Sequence, residues 1–174
     1  MTPPAKQRTV THLIGAAPAD VYAAVTDVVA TAAHSEELVA VAWTRRQFPD
    51  RVTIGDQFTS DNSVAGMSWT ATSTVTAAEP GRRFAFAVSG PEHPTATWTF
   101  ELSRSAWVGL TEVIYTVELG DGPSMLDTVA NGDPIRRAAA ETRRLDSLAR
   151  DMAGLLDELD SHSAEPGAEF NAPT

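Results

Sequence analysis

The chain contains no cysteine. Disulfide scaffolds, Cys-ligated zinc, iron–sulfur clusters and thiol catalysis are therefore excluded, and nothing marks an oxidising compartment. Lysine is nearly missing: Lys6 is the only one, and the other basic residues are arginines. Thirteen Lys+Arg face 23 Asp+Glu, a formal net charge of −10. So acidic a surface repels phosphate backbones and anionic headgroups, which argues against nucleic-acid partners and anionic membranes. No long hydrophobic run is present. The most apolar stretch, residues 21–33, is short and carries Asp27, so it does not span a bilayer. Met1 leads into polar sequence rather than a signal-peptide core. The expectation is a cytoplasmic protein without integral membrane association. Gly-rich phosphate loops, G-x-S-x-G and H-E-x-x-H are absent, so no cofactor and no metal are expected.

What is present is an ordinary globular composition, 43% hydrophobic and 21% charged over 174 residues. That length predicts one domain, able to bury about 70% of its unfolded surface without a metal or disulfide. Residues 1–5 and 161–174 are rich in Pro and Gly and aperiodic. They are expected to be disordered tails around a single domain at 6–160.

Residues 6–15 read as a first strand. Pro18 then opens a helix with Asp20 near its positive end and a stripe of Val21, Tyr22 and Val25. A second short helical piece covers about 27–33. From Glu37 to about Leu119 the period becomes two. Val39, Val41 and Trp43 start one strand and Ile54-Gly55-Asp56-Gln57-Phe58 another. In residues 67–76, Trp69, Ala71, Ser73 and Val75 share one face and Ser68, Thr70, Thr72, Thr74 and Thr76 the other. After the turn Glu79-Pro80-Gly81, Phe84, Phe86 and Val88 share a face. After a second turn, Ala96, Trp98, Phe100 and Leu102 do the same. Residues 107–119 form a last strand. Short turns between alternating strands predict an antiparallel meander of six or seven strands, with one wet and one covered face.

The final element is a helix of about 26 residues, capped by Asp133 with Pro134 first inside. Ile135, Ala138, Thr142, Leu145, Leu148, Met152, Leu155 and Leu159 form its stripe. The only large partner for that stripe is the covered face of the sheet. A twisted sheet curls more than a rod does, so a space remains between them, and such spaces are the usual small-molecule sites.

The order of these elements resembles the polyketide cyclase/dehydratase branch of the START-like (SRPBCC) superfamily, with the helix-grip fold of birch-pollen-allergen-like proteins. The residues that carry the resemblance run from Ala17-Pro-Ala-Asp-Val-Tyr-Ala-Ala-Val-Thr-Asp27 to Gly55-Asp-Gln-Phe58. They continue through Trp69–Val75, Glu79-Pro-Gly-Arg-Arg-Phe-Ala-Phe86, Ala96-Thr-Trp-Thr-Phe-Glu-Leu102 and the terminal helix. They span about residues 8–158. The resemblance implies an α+β fold with two short helices after strand 1, and an internal cavity for hydrophobic molecules. Relatives commonly place aromatic residues after the equivalent of Asp27. Residues 28–34 carry none, a departure in the segment that usually helps close the pocket.

Candidate site residues follow from the inward faces. Trp69, Phe84, Phe86, Trp98 and Phe100 form an aromatic wall, which serves equally as core packing. Ser73 is a small polar residue among them, and Leu145 and Met152 meet the ligand from the helix. The chemistry-bearing candidates are Tyr115, His34 and Glu112. His34 is the best placed of four scattered histidines, although a surface His beside Ser35-Glu36-Glu37 is the plainer reading. Tyr115 and Glu112 lie on opposite faces of the last strand. Aromatic content favours Tyr115 inward, as a hydrogen-bond donor; an inward Glu112 is instead a buried base.

Three functions fit: binding or carriage of a hydrophobic small molecule (lipid, sterol or aromatic polyketide-like), a cyclase or dehydratase using positioning and one general acid–base group, and a protein-interaction module with a filled cavity. The oligomeric expectation is a monomer or weak homodimer.

Overall fold

The computed structural model describes residues 6–163. The expectations for residues 1–5 and 164–174 lie outside the described residues. The elements are β1 (Gln7–Ile14), α1 (Pro18–Thr26) and α2 (Val28–Thr31), the last followed by a 3-10 turn at Ala32–His34. Then come β2 (Leu38–Arg45), β3 (Gln57–Val64), β4 (Met67–Glu79), β5 (Arg83–Val88), β6 (Ala96–Arg104) and β7 (Thr111–Leu119). The chain ends with α3 (Met125–Ala130) and α4 (Pro134–Ser163). The strands form one seven-stranded sheet in the order β1-β7-β6-β5-β4-β3-β2, antiparallel at every pairing. No described helix is long and apolar enough to cross a membrane.

Local chemistry sets the element ends. Asp27 terminates α1 and caps α2 by accepting a hydrogen bond from the Ala30 N–H at 3.1 Å. Asp133 accepts from the N–H groups of Ile135 and Arg136, which starts α4 with Pro134 at its first position. Gly81, at φ +71°, makes the β4–β5 turn and lies against Pro18 and Ala19 of α1. Asp56 is 1% exposed. Its carboxylate receives hydrogen bonds from the Gln47 and Thr53 N–H groups and the Thr53 hydroxyl, closing the β2–β3 connection. The Gly55-Asp56 motif is thus structural.

Helix α4 packs most heavily against β1, then against α3 and β7. It runs in the same direction as β1. Arg8 pairs with Asp146 at 2.8 Å, His12 lies 3.6 Å from Asp157 and 3.7 Å from Asp160, and the Gly15 N–H donates to Asp160. The seven steps from Arg8 to Gly15 cover about 23 Å of strand, and the fourteen from Asp146 to Asp160 about 21 Å of helix, so the rungs stay in step. Between them Leu145, Leu148, Met152, Leu155 and Leu156 are buried in one cluster with Ile14, Val113 and Val117. Helix α1 packs on β5 and β6, where Val21 and Val25 join Phe84 and Phe100.

Several expectations need correction. Val39 is 71% exposed because a bulge between Leu38 and Ala40 puts it out of phase with Val41 and Trp43. Ile54 precedes its strand and is exposed. Residues 107–110 form a turn in which the Ser105 N–H donates to Leu110 O, leaving Trp107 and Val108 exposed. Helix α3 has no counterpart in the sequence expectations. It meets the first turns of α4, where Arg137 pairs with Asp127 and Glu141. Over these turns Ala140 is buried while Ile135, Ala138 and Thr142 of the expected stripe are exposed, Ile135 to 80%. Ser161–Ser163 continue α4 rather than starting a tail.

Candidate ligand-binding cavity

Because α4 sits over the β1–β7 side, the inner face of β3 and β4 has no helix directly on it. Between Phe58 and Trp69 the residues there are small or polar: Ser60, Asn62, Ala71 and Ser73. Those on β5, β6 and β7 are large: Phe86, Trp98, Phe100 and Tyr115. The result is a cavity of about 1060 Å³. The sheet makes its floor, α4 one wall, the Thr31–Leu38 strap a second wall, and Met125, Leu126 and Val129 of α3 its roof.

The floor is a continuous aromatic chain. Phe58 meets Phe86 edge-on at 5.0 Å, Phe86 stacks on Trp98 at 6.2 Å, Trp98 lies 5.7 Å from Tyr115, and Tyr115 stacks on Phe100 at 3.8 Å. Such rings offer large rigid apolar faces at little conformational cost.

The α4 wall carries the charge. Glu37, 8% exposed, forms a two-pronged ion pair with Arg144. The Ser35 hydroxyl donates to Asp151 at 3.3 Å and accepts from the Glu37 N–H at 3.3 Å. These contacts bind the strap to α4. Burial pushes the Asp151 carboxyl above the ordinary Asp value; Glu36 and Glu37 add to this, and Ser35 and Arg144 oppose it. Burial, then the charge of Asp151, push the Tyr115 hydroxyl far above the ordinary tyrosine value, so it is a neutral donor at any working pH. It makes no hydrogen bond among the described residues.

Of the sequence candidates, Trp69, Ser73, Phe86, Trp98, Phe100, Tyr115 and Met152 all line the cavity, as does His34. Three do not. Phe84 is fully buried in the core with Val21 and Val25. Leu145 is buried on the face of α4 that meets the sheet around Val113 and Val117. Glu112 points to the outer face, because the inward set of β7 is Thr111, Val113, Tyr115, Val117 and Leu119. Sequence reasoning missed Ser60, Asn62, Glu37, Arg144 and Asp151. Asp151 had a readable signal: it lies three residues after Leu148 and four before Leu155, on the apolar stripe. Among the described residues no group of three or more His, Asp or Glu is arranged to hold a metal.

A curved sheet gripping one long helix around a hollow defines a START-like, helix-grip protein. The family described as polyketide cyclase/dehydrase and lipid transport matches residues 7–153, and the chain belongs to it. No curated protein matches significantly. Among solved structures, a Thermus thermophilus protein aligns at 12% identity over 91% of this chain and 99% of its own, with a TM-score of 0.65. A START superfamily protein from Mycobacterium smegmatis aligns at 16% over 88% and 98%, TM-score 0.57. The di-domain ARO/CYC StfQ of the steffimycin biosynthetic pathway aligns at 15% over 90% of this chain and 50% of its own, TM-score 0.66. The chain thus spans half the length of that di-domain protein. At these identities the likeness is one of fold.

Proposed function

We propose that the protein binds and carries a hydrophobic small molecule of lipid, sterol or aromatic polyketide type in this cavity. The observation that carries the reading is the hollow itself. Its volume is about 1060 Å³, just above the roughly 300–1,000 Å³ usual for small-molecule sites. A close-packed core leaves no such space. The family, which includes lipid transport in its description, points the same way.

The raised Asp151 carboxyl facing the same space as the Tyr115 hydroxyl favours a second reading, an enzyme of the cyclase or dehydratase kind. A carboxyl shifted toward neutrality is suited to exchange a proton with a bound ligand. In that reading the proton-transfer group is Asp151 rather than His34 or Glu112.

Native mass spectrometry of the purified protein, followed by tryptophan-fluorescence titration with palmitate, cholesterol and a polycyclic quinone, tests carriage. A co-purifying molecule, or saturable quenching at one ligand per chain, is the expected result. No bound mass and no response to any of the three ligands contradicts it.

A further inference from the structure

We infer that Ser60, Asn62 and Ser73 form a hydrogen-bonding subsite in the cavity floor that receives an uncharged hydroxyl or carbonyl oxygen carried on a flat ring of the ligand. This rests on the carriage reading and narrows the ligand class. All three side chains line the cavity, and they are 9%, 7% and 2% exposed respectively.

The register brings them together. Ser60 faces Ala71, Asn62 faces Trp69 and Phe58 faces Ser73 across the β3–β4 pair. Ser73 thus sits diagonally from Ser60, with Trp69 beyond one end of the strip and Phe58 at the other.

Their hydrogen bonds are incomplete. The Asn62 amide nitrogen donates toward Ser60 O at 3.0 Å, Ser60 Oγ at 3.3 Å and Trp69 O at 3.4 Å. Two of those acceptors are backbone carbonyls, which only the NH₂ group can satisfy, so the amide orientation is fixed. That leaves Asn62 Oδ1 as an acceptor with no donor among the described residues. Ser60 Oγ accepts from Asn62 and keeps its own proton to give. Ser73 Oγ has no partner among the described residues. The fully occluded side-chain atoms without partners belong to Tyr22, Arg46 and Ser124, so the free groups of the strip retain surface toward the hollow. Buried polar groups are rarely left unpaired, and the remaining capacity is that of a neutral oxygen site.

Charge and shape agree. In register around the strip are Phe58, Trp69, Ala71 and Val88 and, on β2, Leu38 and Val41, none of them ionisable; Glu37 precedes Leu38 and is paired with Arg144. The charged residues of the cavity, Glu36, Glu37, Arg143, Arg144 and Asp151, belong to the strap and α4. Arg144 is committed to Glu37, so the ion pair nearest in sequence to the strip offers no free counter-charge to an anionic headgroup, and an alkyl chain leaves the strip's polar groups unmet. Phe58, edge-on to Phe86 at 5.0 Å, and Trp69 stand at the two ends of the strip, so a ligand whose oxygen reaches the strip is flanked by aromatic rings that favour a ring over a chain.

The test compares anthracene with 1-hydroxyanthraquinone by tryptophan-fluorescence titration of the full chain, each Kd corrected for water–octanol partition. The wild type is expected to prefer the oxygenated ring by about tenfold or more. Ser73→Ala cuts that preference several-fold, and Asn62→Leu brings the Kd ratio toward one. Ser73→Ala removes a single oxygen, so the test does not depend on Asn62→Leu folding. Both ligands binding with a ratio that the variants leave unchanged overturns the subsite while the carriage reading stands. Neither ligand binding to the wild type overturns the subsite, while the carriage reading stands or falls with the palmitate and cholesterol titrations and the native mass.

Discussion

Asp151 is the residue at which stability and function meet. Its position on the buried stripe of α4 raises its carboxyl above the ordinary Asp value, chiefly by burial. A group whose folded value is raised is favourable when protonated. Its contribution is fully present below the ordinary Asp value and is lost as pH rises through the raised one. Asp151→Asn keeps an acceptor for the Ser35 hydroxyl and removes the charge. The variant is therefore expected to melt higher than wild type at neutral pH, with the difference vanishing in acid. Thermal unfolding at pH 7 and pH 4 measures this; equal melting curves at pH 7 contradict it. The same variant separates the two functional readings, since carriage survives loss of this proton and catalysis does not.

At the scale of elements, the roof of the cavity depends on one close approach. The segment after β7 runs so near the β5–β6 loop that the Gly120 N–H donates to Thr95 O and the Gly122 N–H to Pro94 O. A side chain on Gly120 would collide with the Pro94 backbone. Gly120→Ala is expected to cost about 1–3 kcal/mol by overpacking. It also loosens α3 over the cavity, and urea unfolding together with ligand off-rates measure both effects. Unchanged stability contradicts the placement of α3. Some elements are plain in the sequence and others are hidden, for physical reasons. In β4 the alternation of Trp69, Ala71, Ser73 and Val75 with a ladder of hydroxyls is consistent, and Asp133-Pro134 starts α4 unmistakably. Helix α3 spans only six residues, too short for its Met125, Leu126, Val129 and Ala130 spacing to stand out, and the Ser124–Asp127 capping box that starts it is the signal sequence reasoning passed over. The inner face of β3 carries Ser60 and Asn62 because it faces the hollow and not the core, so hydrophobic alternation fails where the site lies. The bulge that turns Val39 outward and the reach of Glu37 to Arg144 join residues that no local pattern connects.

At the scale of the whole molecule, a sheet curled further than its helix can follow encloses a space, with bulky rings on one half of the floor and small polar residues on the other. Two of the four tryptophans report on it directly. Trp69 and Trp98 line the cavity, Trp43 abuts lining Phe58 at 5.4 Å, and Trp107 is exposed at the β6–β7 turn. In an ¹H–¹⁵N correlation spectrum each gives one indole N–H signal. Titration with 1-hydroxyanthraquinone is predicted to shift the signals of Trp69 and Trp98 in a saturable way and to leave that of Trp107 in place. A shift confined to Trp107, or saturation with Trp69 and Trp98 unmoved, would contradict the account.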